Sequence, residues 1–248
     1  MMNGTGERRI AWVTGAGGGM GRASAVRLAQ SGYTVALSGR RTDALADTGS
    51  LVEDTGAEAM LVPLDVSDVD AVEDAAARIG QALGPITTVV ASAGVNTPQR
   101  YWRDQQVAQF SSIVSTNLIG AAATVDAVLP GMREAGGGSV VFISSYSGWR
   151  FSPDAGVAYS ASKTALSSLA ESLNAQENQF GIRATNLCPG DVDSDFLRLR
   201  PVVPDATART SMLSPDDVAA AVQFIIDSPA HVCVNELVIS PVKKGVLR

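Results

Sequence analysis

The sequence predicts a single α/β domain: a Rossmann-like, doubly wound sheet of about seven parallel strands with helices on both faces. Three observations carry this prediction. Short apolar runs alternate with longer amphipathic stretches along the chain, the rhythm of repeated strand–helix units. The runs are continuously apolar, as strands covered on both faces require. A glycine-rich turn joins the first run to the first amphipathic stretch. The length of 248 residues fits one such domain, with no linker or repeat dividing it.

The elements follow in order. Residues 10–13 form a first strand, and Met20, Ala23, Val26, Leu28 and Ala29 trace the helix after it. Residues 35–37 are a second strand, 43–55 a helix and 59–64 a third strand. Ser67 is expected to cap a helix from Asp68 to about Leu83, with Asp68 and Asp70 at its positive end. Residues 86–91 form a fourth strand. One long helix is predicted over about 104–133. Gly136, Gly137 and Gly138 then turn into a fifth strand at 139–143. A second long helix covers about 157–180, and a sixth strand 182–187. Ser214 is expected to cap a helix over 215–226, and 236–239 form a seventh strand. Residues 190–213 lack periodicity and are rich in Asp, Arg, Pro and Ser, so they are expected to form a substrate loop or lid. Residues 1–8 read as an irregular leader; the apolar stretch and cleavage site of an export signal are missing there.

Composition narrows the function. With 46% hydrophobic residues the chain can bury a core. No apolar run reaches the length of a membrane span. A net charge of −6 argues against general nucleic-acid binding, which needs a basic footprint. Two cysteines, Cys188 and Cys233, and one histidine, His231, cannot build a disulfide framework or a Cys/His zinc site. A cytoplasmic enzyme acting on a small molecule, without membrane or nucleic-acid partners, is the expectation that remains.

Its chemistry is read from three places. In Thr14 to Gly21, glycines 15, 17, 18, 19 and 21 lie between strand and helix. Glycines let backbone N–H groups approach a pyrophosphate, and the helix start adds partial positive charge. The strict G-x-G-x-x-G form is not met, since Met20 takes its third glycine position. The second strand ends in Ser38-Gly39-Arg40-Arg41, where an acid would mark recognition of ribose hydroxyls. Guanidinium groups suit a 2′-phosphate instead, so NADP(H) is expected over NAD(H). Finally, Tyr159 and Lys163 stand i and i+4 at the start of a helix, on one face. A nearby cation favours phenolate, which lets a tyrosine exchange a proton with a carbonyl or alcohol oxygen.

In order and spacing, Thr14 to Gly21, Asn117, Ser145, Tyr159 and Lys163 resemble the short-chain dehydrogenase/reductase family, over roughly residues 9–239. The resemblance implies a hydride transfer between NADP(H) and a carbonyl or secondary alcohol. Tyr159 is then the general acid/base. Lys163 lowers its pKa and binds the nicotinamide ribose. Ser145 polarises the substrate oxygen, and Asn117 holds a water in a proton relay. Gly15, Gly17, Gly19, Met20 and Gly21 cradle the diphosphate, with Arg40 and Arg41 at the 2′-phosphate. Asp65 and Val66 contact adenine, and Ala93 and Gly94 line the cofactor. Pro189, Gly190, Val192 and Ser194 meet the nicotinamide amide. Departures are also present. Ala91-Ser92-Ala93-Gly94 stands for the family's N-N-A-G, and Ser194 for its Thr. The interval from Ser145 to Tyr159 is one residue longer than is commonest. Ser144 is an adjacent candidate for the catalytic serine; Ser145 is preferred because it stands three residues before Gly148.

Tyr146, Arg150, Phe196 and Arg198 are the candidate substrate residues, from loops expected at the carboxyl ends of strands. An arginine among them is expected to bind an anionic substrate group. Residues 234–241 resemble the last strand of NADP-dependent members acting on small hydroxy acids. The family resemblance also implies a homotetramer or homodimer built through the two long helices. Two other readings share the motifs: a silent dinucleotide-binding sensor or scaffold, and an epimerase or dehydratase using the same site.

Overall fold

The computed structural model describes residues 8–242. The leader expected over 1–8 lies outside them except for Arg8, which pairs with Glu58 at 2.7 Å.

The strand β1 (Arg9–Thr14) shows how the sheet is made. Ile10 and Trp12 point into one apolar layer, Ala11 and Val13 into the other, and all four are fully buried. Successive strand side chains take opposite faces, so a continuously apolar run serves a sheet covered on both sides. The remaining elements are α1 (Gly19–Gln30), β2 (Tyr33–Gly39), α2 (Thr42–Glu53), β3 (Ala59–Pro63), α3 (Val69–Leu83) and β4 (Ile86–Ala91). Then come α4 (Val107–Val114), a π-helical segment (Ser115–Ile119), α5 (Gly120–Asp126), α6 (Leu129–Glu134), β5 (Gly138–Ile143) and α7 (Tyr146–Trp149). The chain finishes with α8 (Val157–Glu177), β6 (Ile182–Pro189), α9 (Ala206–Arg209), α10 (Pro215–Ile226) and β7 (Glu236–Ile239).

One seven-stranded sheet results, in the order β3-β2-β1-β4-β5-β6-β7, with every neighbouring pair parallel. Apolar residues of α3, α5 and α8, among them Ile79, Val125 and Leu166, cover one face. Those of α1, α2 and α10, among them Leu28, Leu45 and Val222, cover the other. The chain turns outward in opposite directions from β1 and β4. The crevice between them opens at the carboxyl ends of the strands, where this class of sheet binds ligands.

Two local expectations are corrected, and a third stretch holds more local structure than its lack of periodicity implies. The cap of α3 is Asp68, whose side chain accepts from Ala71 N at 3.1 Å. Ser67 is already committed: its N–H and hydroxyl both donate to Asp65, at 3.0 and 2.8 Å. The single helix over 104–133 is divided. Asp104 closes a turn onto Tyr101 N, so α4 starts only at Val107. The π-helical segment widens the middle without breaking the helical path, and Pro130, which has no N–H, sits in the first turn of the separate α6. The stretch 190–213 carries structure of its own: a 3-10 helix (Asp195–Leu199), α9, and a neck. At that neck Leu213 N bonds Asp191 O at 2.9 Å and Asp193 N bonds Leu213 O at 2.8 Å. Ser214 caps α10 as expected, in a reciprocal capping box with Asp217.

Candidate active site

The glycine turn after β1 is shaped by close approach. Gly15 has φ +67°, and a Cβ there would lie 2.8 Å from the backbone of Ser92 and Ala93. A Cβ on Gly21 would collide with the Gly15 carbonyl. Helix α1 begins without a side-chain cap, so its first N–H groups stay available to an anion. Two residues that sequence reasoning missed hold the turn. Arg22 Nε donates to Thr48 Oγ1 at 2.9 Å and its Nη2 to Gly17 O at 3.0 Å. Thr48 Oγ1 in turn donates to Ala16 O at 2.9 Å. No motif spacing marks either residue; the bond between them joins α1 to α2, and each also holds a carbonyl of the turn.

This turn forms one wall of a cleft of about 290 Å³. Gly15, Gly17, Gly19, Met20, Gly21, Arg40, Arg41, Asp65, Val66, Ala93, Gly94 and Ser194 all line it. Arg40 and Arg41 stand exposed beyond β2, and Arg40 lies 3.8 Å from Asp65. Burial disfavours the Asp65 carboxylate, but the two Ser67 bonds and Arg40 outweigh it and hold its pKa below the ordinary value. A backbone cradle, two guanidiniums and an ionised carboxylate at the carboxyl ends of β1 to β4 fit a phosphorylated dinucleotide.

A second cleft of about 920 Å³ adjoins the first, and Met20, Ser92, Gly94, Ser194 and Phe196 line both. Ser145, Tyr159 and Lys163 line it, as do Pro189, Gly190 and Val192. Ser145 follows β5 and caps α7, accepting from Ser147 N at 3.3 Å. Ser144 is buried and donates to Lys163 O at 2.9 Å, a bond that fixes α8 to the end of β5. Both serines line the cleft, but the Ser144 hydroxyl is already spent on this bond. Tyr159 and Lys163 occupy one face of α8, with Lys163 Nζ 5.8 Å from the phenol ring centre. Lys163 is 4% exposed and donates to Ile143 O at 2.7 Å. Burial pulls its pKa down to about 8, which leaves it largely protonated at neutral pH.

Burial also raises the Tyr159 pKa above its ordinary value, against the downward pull of Ser145, Arg100 and Arg200. That net direction differs from the lowering by Lys163 that the family resemblance implies. The physical reason is desolvation of the phenolate. At neutral pH the Tyr159 phenol is protonated.

Asn117 lies in the π-helical segment and is buried. Its Oδ1 accepts from Val95 N at 2.7 Å, while Nδ2 donates to Val95 O at 3.0 Å and to Ser162 Oγ at 3.1 Å. The side chain thus ties the loop after β4 to the turn of α8 that carries Lys163.

The candidate substrate residues divide. Tyr146 and Phe196 line the larger cleft, and the Phe196 ring centre is 5.8 Å from that of Tyr159. Arg150 and Arg198 do not line it. Arg150 lies 4.5 Å above the Trp149 ring, and Arg198 turns outward to Asp195 at 2.9 Å. The arginines that do line the cleft are Arg100 and Arg200. Arg200 falls three residues after Leu197, the buried residue of the 3-10 turn, and in a three-residue period that spacing returns it to the same side.

A doubly wound parallel sheet with a phosphate cradle at its switch point, joined to a cleft holding a Tyr–Lys pair, defines a dinucleotide-binding oxidoreductase. The comparisons with known proteins agree. Residues 9–201 match the short chain dehydrogenase family. An uncharacterized oxidoreductase of Staphylococcus aureus (strain MW2) is 31% identical over 234 residues, 94% of this chain and 97% of that one. Among solved structures, the alcohol dehydrogenase of the archaeon Thermococcus sibiricus complexed with 5-hydroxy-NADP superimposes with a TM-score of 0.84. It is 31% identical and the match covers 95% of this chain and 97% of that one. The closed form of a serine dehydrogenase complexed with NADP+ gives a TM-score of 0.85 at 28% identity, covering 96% and 97%. The chain belongs to the short chain dehydrogenase family. It is an oxidoreductase that uses a nicotinamide dinucleotide. Among the described residues, no helix is long and apolar enough to cross a membrane.

Proposed function

We propose that the protein interconverts a small-molecule carbonyl and its secondary alcohol with NADP(H) as the preferred cofactor. The observation that carries this reading is the continuity of the two clefts. Arg40 and Arg41 stand at one end, and Ser145, Tyr159 and Lys163 at the other.

The bound nicotinamide supplies a two-electron donor or acceptor; the protein supplies position and the proton. Tyr159, protonated at neutral pH, donates its phenolic proton to the carbonyl oxygen in reduction and takes it back in oxidation. Ser145 offers its hydroxyl to the same oxygen and polarises it. Lys163 places a buried cation near the phenol, which stabilises the phenolate left after transfer. Asn117 fixes the surrounding backbone through Val95 and Ser162. The Arg40 and Arg41 guanidiniums suit a 2′-phosphate by charge-assisted, bidentate bonding. The relative bound to 5-hydroxy-NADP and the serine dehydrogenase bound to NADP+ support the same cofactor. The protein works in the cytoplasm as a homotetramer or homodimer, assembled through helices α4 to α6 and α8.

The test is oxidation of NADPH, with NADH in parallel, on a panel of oxo acids, aryl ketones and cyclic ketones. Turnover of at least one carbonyl, faster with NADPH, is expected. A preference for NADH would remove the role given to Arg40 and Arg41, and no turnover would remove the reaction. Light scattering of the purified chain checks the assembly.

A further inference from the structure

Two arginines, Arg100 and Arg200, line the larger cleft, and Arg103, Arg150, Arg198 and Arg209 lie in neighbouring stretches of the chain with partners of their own. Arg100 is 3% exposed and spends its donors on three backbone carbonyls: Thr97 at 2.8 Å, Asp154 at 3.2 Å, and Leu199. It braces three loops together. Arg103 lies over Tyr101 and Arg150 over Trp149. Arg198 pairs with Asp195, and Arg209 with Asp193.

Arg200 is placed differently. It lines the cleft with Tyr159, Ser145 and Asp191. Among the described residues its side chain makes one hydrogen bond, from Nη2 to Asp191 Oδ1 at 2.5 Å. A guanidinium carries five N–H donors, so most of its capacity is unspent. The Arg200–Asp191 pair is partly exposed, at 35% and 54% of their side chains. Such pairs are weak and open readily. The residue before it, Leu199, is held by Arg100, which sets the position from which Arg200 enters the cleft. The cleft lining also runs against the net charge of the chain. Arg100, Lys163 and Arg200 face Asp154 and Asp191, a cationic excess in a protein of net charge −6.

We infer that Arg200 is the receptor for a substrate carboxylate, with Asp191 as the internal stand-in that the substrate displaces. The substrate is then a short hydroxy or oxo acid. Its carboxylate meets the Arg200 fork while its carbonyl or hydroxyl oxygen meets Ser145 and Tyr159. This assignment rests on the carbonyl–alcohol reading above. Asp191, being half in solvent, has room to swing away when the carboxylate arrives.

The deciding experiment compares kcat/KM with NADPH for 2-oxo, 3-oxo and 4-oxo acids, each beside its methyl ester. Wild type is run with Arg200→Gln, Arg200→Lys, Asp191→Asn and Arg198→Gln. An acid-over-ester preference of about tenfold or more is expected at one chain length in wild type. Arg200→Gln collapses that ratio to near unity, Arg200→Lys retains part of it, and Asp191→Asn increases it. Arg198→Gln keeps the wild-type ratio. If the esters match every acid in wild type, or the preference survives in Arg200→Gln, the receptor is overturned while the reductase reading stands. A second arm needs no turnover: the rise in melting temperature with 3-hydroxybutanoate against 3-hydroxybutanamide. A rise specific to the acid and lost in Arg200→Gln supports the receptor even in an enzyme that reduces nothing on the panel, where the proposed reaction alone has failed. Equal rises for acid and amide count against the receptor.

Discussion

Asn117 and Ser162 are joined by a 3.1 Å hydrogen bond between a π-helical turn and the helix that carries Tyr159 and Lys163. Asn117 is 1% exposed, and its amide is also bonded on both sides to Val95. Asn117→Ala leaves the half-buried N–H and carbonyl of Val95 and the buried Ser162 hydroxyl short of partners. The expected loss is about 1–3 kcal/mol, the cost of one orphaned buried group, since the half-exposed Val95 groups can turn to water. Urea unfolding of the variant measures it, and a change below half a kcal/mol would show that the network is dispensable.

Tyr159→Phe removes the proton donor and keeps the ring that packs near Phe196. A fall in kcat of about 10²–10⁴ is expected, the range for loss of a positioned acid/base. The Kd for NADPH, followed by its fluorescence, should change far less. A variant retaining a tenth of wild-type kcat would place the acid elsewhere.

Lys163 gives stability a characteristic pH dependence. Its pKa falls from the ordinary 10.5 to about 8 in the folded chain because burial disfavours the ammonium. Between those values the unfolded chain binds more protons than the folded one. The lysine's burden on the fold is therefore full below pH 8 and is relieved as pH rises toward 10.5. The full relief is on the order of 3 kcal/mol. Wild type and Lys163→Met, compared by urea unfolding from pH 7.5 to 9.5 without cofactor, should show wild type gaining on the variant as pH rises. A flat difference would mean that Lys163 titrates normally.

Arg40 and Arg41 give the cofactor prediction. Arg40→Ala combined with Arg41→Ala should weaken NADPH by about a hundredfold, as two charge-assisted contacts at about 1.4 kcal/mol each imply. NADH should weaken by only a few fold. Fluorescence titration of both cofactors decides, and parallel losses would separate these arginines from the 2′-phosphate.

What was legible in the sequence follows a physical rule. The strands were legible because doubly buried strands must be apolar at every position, as Ile10 to Val13 are. The i, i+4 spacing of Tyr159 and Lys163 is common by itself, and the pair stood out because it follows Thr14 to Gly21, Asn117 and Ser145 in order. The glycine turn was legible because a Cβ at Gly15 or Gly21 has nowhere to go. Features that depend on reach across the chain were not. Arg100 binds carbonyls up to 99 positions away, and nothing local to it announces that. Arg150 and Arg198 share their loops with cleft residues but point elsewhere, because Trp149 and Asp195 offer nearer partners. Ser67 was misread as a helix cap because Asp65, two residues earlier, competes for it.

The π-helical turn at Ser115–Ile119 works as a phase shifter. Each residue of an α-helix advances the chain by about 100°. A single surplus residue in one turn therefore rotates everything downstream relative to everything upstream. Upstream, α4 packs on α8; downstream, α5 packs on α3, and Gly120 sits so close to Val66 that a Cβ would lie 2.6 Å from its methyl group. The two halves address different neighbours, and only the surplus residue lets one continuous helical path serve both. Deleting any one residue between 115 and 119 would straighten the turn and turn the apolar stripe of α5 away from α3. In this stretch a shortening by one residue should therefore cost more than most substitutions.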